Sequence, residues 1–154
     1  MTSFIRPVKS KKISDTFADH KKRKSVNPGV DYVVPVGTPV FAIEDGVVEG
    51  VTTNVAGAGG RMIWLNCGGW RIDYLHLRKV YVAKGDSVTK GQIIGKSGAS
   101  GLGSETGYGP HLHLSIRKGG KHVQGKGNKD FVAILAAQVA AVPATVAVES
   151  TPAQ

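Results

Sequence analysis

The chain has 154 residues, 41% of them hydrophobic and 6% aromatic, the length of one ordinary domain and enough to bury a core. Its formal net charge of +9 is uneven, with eight of the twenty Lys and Arg (Arg6, Lys9, Lys11, Lys12, Lys21, Lys22, Arg23, Lys24) near the start. One cysteine, Cys67, excludes an internal disulfide, and no motif with interleaved aromatics marks a nucleic-acid surface, so no nucleic-acid partner is expected.

Residues 1–26 read as a basic, partly irregular lead-in. "KKRK" at 21–24 suits either a solvated, mobile segment or an attraction to polyanions. "MTSFIRPVKSKK" lacks an apolar h-region, so no signal peptide is expected. From Asp31 the pattern turns to short β segments: "VDYVV" stopping at Pro35, then "PVFAI", then "VVEGVTT" after an "EDG" turn. "RMIWLNC" and "WRIDYLHL" flank Gly68-Gly69, a hairpin signal because both glycines accept positive φ. "DSVTKGQIIGKSG" adds two Gly-punctuated corners, and a short helix is expected near 130–141, followed by a disordered tail. Its apolar stretch is interrupted by Gln138 and Pro143, so no membrane span is expected. Twenty-one glycines and strands about every 8–12 residues point to an all-β sandwich or barrel.

The chemistry concentrates in "GPHLHLSI". In a strand, His111 and His113 share one face while Leu112 and Leu114 share the other. Two adjacent imidazoles would be poorly satisfied in a core, and the spacing suits a metal site or a metal ligand beside a catalytic base. By the same alternation in "DYLHL", Tyr74 and His76 share a face, making His76 a third candidate. Asp31, after "NPG", is either a turn residue or a hard metal ligand.

In order and spacing, "NPGVDYVVPVGTPVFAIEDGVV", "DYLHL", "KGDSVTKGQIIGKSGASG" and "GPHLHLSI" resemble the lysostaphin/LytM-type zinc metallopeptidases over about residues 13–118. The resemblance implies an all-β fold of the duplicated hybrid motif type. This is an antiparallel β-sandwich or hybrid barrel with a groove over one sheet, plus a short C-terminal helix. It implies three parts: a basic lead-in at 1–26, the metallopeptidase-like domain at 27–122, and a linker, helix and tail at 123–154. It also implies one Zn2+ ion, with Asp31 and His113 matching ligands and His76 and His111 flanking the catalytic water. The family's first zinc-binding His corresponds here to Asn27, a neutral and weaker donor. Either Asn27 coordinates through its amide oxygen, or His20 in "FADH" substitutes for it, or metal binding is lost. The loop at 100–110 is longer than the family's usual turn, and makes Tyr108 and Glu105 candidate substrate contacts.

The implied activity is zinc-dependent cleavage of peptide cross-links or stem peptides in bacterial peptidoglycan. Without a signal peptide, the expected setting is a bacteriophage lysin or virion-borne cell-wall hydrolase, an antimicrobial activity. Such a protein resides in the host cytoplasm or virion before acting at the wall. The basic lead-in would favour anionic wall polymers, and a monomer is expected outside a virion. The competing reading is a catalytically inactive relative that binds peptidoglycan or regulates another hydrolase. "GDSVTKGQIIG" also suggests a lipoyl-carrier-like hybrid barrel, but "TKGQ" lacks the exposed Lys-Met tip of a carrier and leaves the histidines unexplained.

Overall fold

A computed structural model describes residues 3–119 and 127–141. In chain order the elements are β1 (Ile13–Asp15), α1 (Phe17–Lys22), β2 (Val30–Tyr32), β3 (Pro39–Phe41), β4 (Gly46–Thr52) and β5 (Arg61–Cys67). There follow β6 (Trp70–Val80), β7 (Ser87–Val88), β8 (Ile93–Ser97), β9 (Leu112–Lys118), β10 (Asn128–Lys129) and α2 (Phe131–Ala141). The strands form one branched antiparallel sheet in the order β1-β2-β9-β6-β5-β4-β7, with β10 on β9 and β3 on β8. This is the antiparallel all-β architecture with a short C-terminal helix that the segment pattern implied. The expected disordered tail lies outside the described residues.

The long strand β6 binds the branches together. Its first part pairs with β5 and β9, and its end pairs with β8 from Leu77 to Val80. Gly68 and Gly69 close the β5–β6 hairpin with φ of 59° and 89°, the positive values a two-residue primed turn demands. Alternation then sorts β9: Leu112, Leu114 and Ile116 point into the core, fully buried with Val30, Tyr32, Ile72 and Tyr74. Tyr74 is satisfied there, its hydroxyl donating to the Phe41 carbonyl and accepting from the Ile43 amide.

Part of the basic lead-in is packed, while Lys21–Lys24 are exposed. Phe4 and Val8 join the core, and Phe4 packs edge-on against Trp70 at 5.5 Å and beside Phe131 of α2 at 6.0 Å. The Gln138 amide of α2 clamps the same residue, accepting from the Phe4 amide at 2.8 Å and donating to its carbonyl at 3.0 Å. Lys9, Lys11 and Lys12, just beyond Val8, stay exposed while the backbone before them is pinned. Cys67 is a buried free thiol, its pKa pushed up to about 12 by burial and by Glu44 and Asp45. Among the described residues, no helix is long and apolar enough to cross a membrane.

Candidate metal centre and groove

Asp31 and His113 are cross-strand partners on β2 and β9, and Asp31 Oδ1 lies 2.8 Å from His113 Nδ1. Close approach of the strands is possible because Gly29 has no Cβ; one there would sit 2.2 Å from the Leu114 carbonyl oxygen. Above this pair sits α1. Its N-terminus carries a full capping box: Thr16 Oγ1 accepts from the Asp19 amide, and Asp19 Oδ2 accepts from the Thr16 amide. The helix turns His20 inward, with Nε2 3.5 Å from Asp31 Oδ1 and 3.4 Å from Asp15 Oδ2. Arg23 at the helix end pairs with Asp15 and neutralises that outer carboxylate.

One donor atom from each of His20, Asp31 and His113 falls within 4.8 Å of the others. Ligands about 2.0–2.2 Å from a tetrahedral zinc ion lie roughly 3.3 Å apart; the His20–Asp31 separation of 3.5 Å is close to that, while His113 and Asp31, at 2.8 Å, touch as in a direct hydrogen bond. The hydrogen bonding asks for a cation too. His20 Nδ1 faces the Thr16 carbonyl at 2.8 Å, and His113 Nε2 faces the Asn27 carbonyl at 3.0 Å. Carbonyls only accept, so those nitrogens carry the protons, and the opposite nitrogens converge on a carboxylate that also only accepts. Either a second proton on each ring or a metal cation beside Asp31 satisfies both contacts. Burial opposes the charged ring of His20, but Asp31, the Thr16 carbonyl and Asp15 outweigh it and raise its pKa. Burial would likewise raise the Asp31 carboxyl, yet His113, His20 and His111 hold it well below the usual carboxylate range.

His76 and His111 form the far side of the site. Asn27, Asp31, His20, His76, His111 and His113 all border one cavity of about 330 Å³. His111 Nδ1 meets the Gly109 carbonyl at 2.7 Å, leaving Nε2 3.8 Å from Asp31 Oδ1. His76 Nδ1 meets the Ser100 carbonyl at 2.9 Å, and its ring lies 4.8 Å from that of His111. Burial, then the neighbouring His111, lowers the His76 pKa to about 4.

The expected shared face of Tyr74 and His76 is not observed. The register between β5 and β6 slips just before Leu77, and His76 adopts a φ of 63°. This bulge turns Leu75 and His76 both toward the cavity while Tyr74 and Leu77 stay in the core. The strained backbone is held by a 2.8 Å bond from the His76 amide to the Gly59 carbonyl.

The remaining candidates lie as follows. Asn27 is 3% exposed, but its side chain faces away from the histidines: Nδ2 donates to Asp73 Oδ2 at 3.2 Å, and Oδ1 accepts from Asn128 Nδ2 at 2.9 Å. Glu105 turns to Arg61, with two contacts of 2.5 and 2.6 Å, and to Arg78 at 3.2 Å. Tyr108 packs its ring on His76 at 4.3 Å and donates its hydroxyl to the Ala58 carbonyl at 2.7 Å. Sequence reading missed Asp15, Asp73 and Asn128. The signal for α1 was present, since Thr16 and Asp19 have capping-box spacing directly before His20.

Four imidazoles and a carboxylate at the base of a groove in an antiparallel sheet form a site suited to hydrolysis at a metal ion. The sequence matches Peptidase family M23 over residues 25–125, and the chain belongs to that family. M23 peptidases are metallopeptidases, and the peptidoglycan endopeptidases among them are hydrolases. The chain is 38% identical over 123 residues to the peptidoglycan DD-endopeptidase ShyA of Vibrio cholerae, covering 76% of this chain and 27% of ShyA. The chain thus spans little more than a quarter of that longer relative. The catalytic domain of the antimicrobial peptidase lysostaphin from Staphylococcus simulans superposes with a TM-score of 0.62 at 28% identity, covering 88% of this chain and 90% of that one. A prophage-encoded M23 protein, EnpA of Enterococcus faecalis, superposes as its catalytic domain with a TM-score of 0.54 at 33% identity, covering 62% and 71% respectively. The family match starts at residue 25, so His20 lies outside it.

Proposed function

We propose that the protein is a zinc-dependent endopeptidase acting on peptide cross-links or stem peptides of peptidoglycan, with His20, Asp31 and His113 as the zinc ligands. The observation that carries this reading is the convergence of His20 Nε2 and His113 Nδ1 on Asp31 Oδ1, each ring anchored behind by a backbone carbonyl. In this reading His20 replaces the imidazole that Asn27 cannot supply, and the Asn27 amide stays with Asp73 and Asn128.

Bound zinc supplies Lewis acidity and brings the pKa of a water from 15.7 toward about 7. His76 and His111 each keep Nδ1 on a carbonyl, so each presents an Nε2 lone pair to the cavity. One of these accepts the water's proton as the C–O bond forms. The N–H so created then donates to the departing nitrogen as the C–N bond breaks. The depressed pKa of His76 keeps that ring neutral, and therefore able to accept, at neutral pH. Leu75, Met62 and Ala58 give the groove an apolar wall for an extended peptide. The exposed lysines around α1 add attraction to anionic wall polymers. The prophage-encoded EnpA supports a phage-borne setting for this activity.

The competing reading, a peptidoglycan-binding module without hydrolytic activity, draws on the engagement of Asn27 elsewhere. Purified cell-wall sacculi separate the two. The zinc-loaded protein is expected to release new amino groups, to lose this activity with a chelator and to regain it with added zinc. Binding to sacculi with no amine release at any zinc concentration refutes the hydrolase.

A further inference from the structure

Asn27 touches His113 through its main chain while its side chain is tied elsewhere, and the two contacts are linked. The Asn27 carbonyl is the acceptor for His113 Nε2 at 3.0 Å. Nothing in the sheet ladder fixes that carbonyl, because residue 27 precedes β2. What holds it is a buried lattice. Asp73 receives Arg71 Nε at 2.9 Å on one oxygen, and Arg117 Nη1 at 3.1 Å and Asn27 Nδ2 at 3.2 Å on the other. Asn128 Nδ2, on β10, bridges Asn27 Oδ1 at 2.9 Å and the Pro28 carbonyl at 2.8 Å. The chain then passes flat over the imidazole: a Cβ on Gly29 would lie 2.8 Å from His113 Nε2. Pro28 biases residue 27 to an extended backbone, and Gly29 clears the ring. "NPG" is therefore a fitted strap over one face of the metal centre.

We propose that Asn27 is a positioning residue, held by Asp73 and Asn128, whose carbonyl fixes the Nε2 proton of His113 and commits Nδ1 to the metal. The inference rests on the zinc-site reading above, with Asn27 outside the ligand set and in the shell behind it. An outer hydrogen bond of this kind fixes both the tautomer and the orientation of the ligating ring. It also joins β10, 101 residues away in sequence from Asn27, to the metal site.

Asn27→Ala and Asn128→Ala test this, because both leave the carbonyl of residue 27 in the chain. Asn128 is only half buried, so its variant keeps the test open if Asn27→Ala fails to fold. Chelator competition is expected to show zinc affinity about 10–100-fold weaker in each variant. NMR of the folded, zinc-loaded proteins is expected to show the His113 Nε2 proton exchanging slowly in the unsubstituted protein and faster in both variants. A variant with purely structural damage would not single out that proton. Equal zinc affinity and equal proton exchange in the folded variants overturn this inference alone. No zinc binding by the unsubstituted protein overturns both it and the zinc-site reading.

Discussion

Removing the helix-borne imidazole with His20→Ala is the sharpest test of the ligand set. Structural zinc sites with four protein ligands bind with about 10–16 kcal/mol, so one ligand's share is about 3 kcal/mol. Among the described residues, the neighbouring donors are already engaged, and the nearest carboxylate, Asp15, pairs with Arg23. The Asn27 amide is engaged by Asp73 and Asn128, and the Nε2 of His111, at 3.8 Å from Asp31 Oδ1, is reserved for proton handling in the proposed mechanism. About 3 kcal/mol corresponds to zinc affinity roughly 100-fold weaker. At a fixed saturating zinc concentration, that loss removes about 2.7 kcal/mol of zinc-dependent stabilisation. Two assays read it: competition against a fluorescent chelator for affinity, and urea unfolding with and without zinc for the linked stability. X-ray absorption supplies the ligand count, two imidazoles in the unsubstituted protein and one in His20→Ala. Zinc affinity within about threefold of the original, with two imidazoles still bound in His20→Ala, would refute the assignment.

Further outcomes follow from the same geometry. In metal-free protein, His76 titrates at about 4 when folded against 6.5 when unfolded, so the unfolded chain binds more protons between those values. Its contribution is complete above pH 6.5 and is lost as pH falls to 4, about 3 kcal/mol in all. Urea unfolding across that window should show the loss in the unsubstituted protein and not in His76→Gln; equal slopes would contradict it. His20, whose folded pKa is raised, works in the opposite sense, stabilising below 6.5 and losing that contribution as pH rises. Gly29→Ala forces a Cβ against the Leu114 carbonyl and His113, and should cost about 1–3 kcal/mol in urea unfolding while weakening zinc binding; an unchanged midpoint would show that the strands part freely. Glu105→Gln weakens contacts to Arg61 and Arg78 that are partly exposed, so stability should change by about 1 kcal/mol or less. Its KM for peptide should also stay the same, and a large rise in KM would restore Glu105 as a substrate contact.

How much of this was legible depends on whether the cause of each feature is local. The alternation Leu112-His113-Leu114 needs only the strand period, and it placed two histidines on the groove and two leucines in the core. The Gly68-Gly69 hairpin is equally local. His76 breaks the pattern because a bulge inserts a residue into β6, and nothing in "DYLHL" marks where the register slips. Asn27 shows the opposite limit. Its sequence position suggests a ligand, but its side chain is captured by Asp73 and Asn128, 46 and 101 residues away, and such partners have no sequence signature. The lead-in held one further local signal: Thr16 and Asp19 spell a helix start directly before His20.

The architecture also sets which part of the site opens first. Asp31 and His113 stand on paired strands within a continuous antiparallel ladder, and Leu112 and Leu114 anchor β9 in the core. His20 stands on a six-residue helix, far too short to persist alone. That helix endures through its capping box, the Asp15–Arg23 ion pair and the burial of Phe4 and Val8 upstream. Arg23 is largely exposed, so the ion pair contributes little; the pairing of β1 with β2 just before the helix, the apolar anchors and α2, which clamps Phe4 through Gln138, carry most of the support. Local opening therefore releases His20 while the sheet still holds Asp31 and His113 together. In the proposed site a bound ion would bridge this short helix to the paired strands, so ion binding and the folding of the lead-in would stabilise each other by the same free energy.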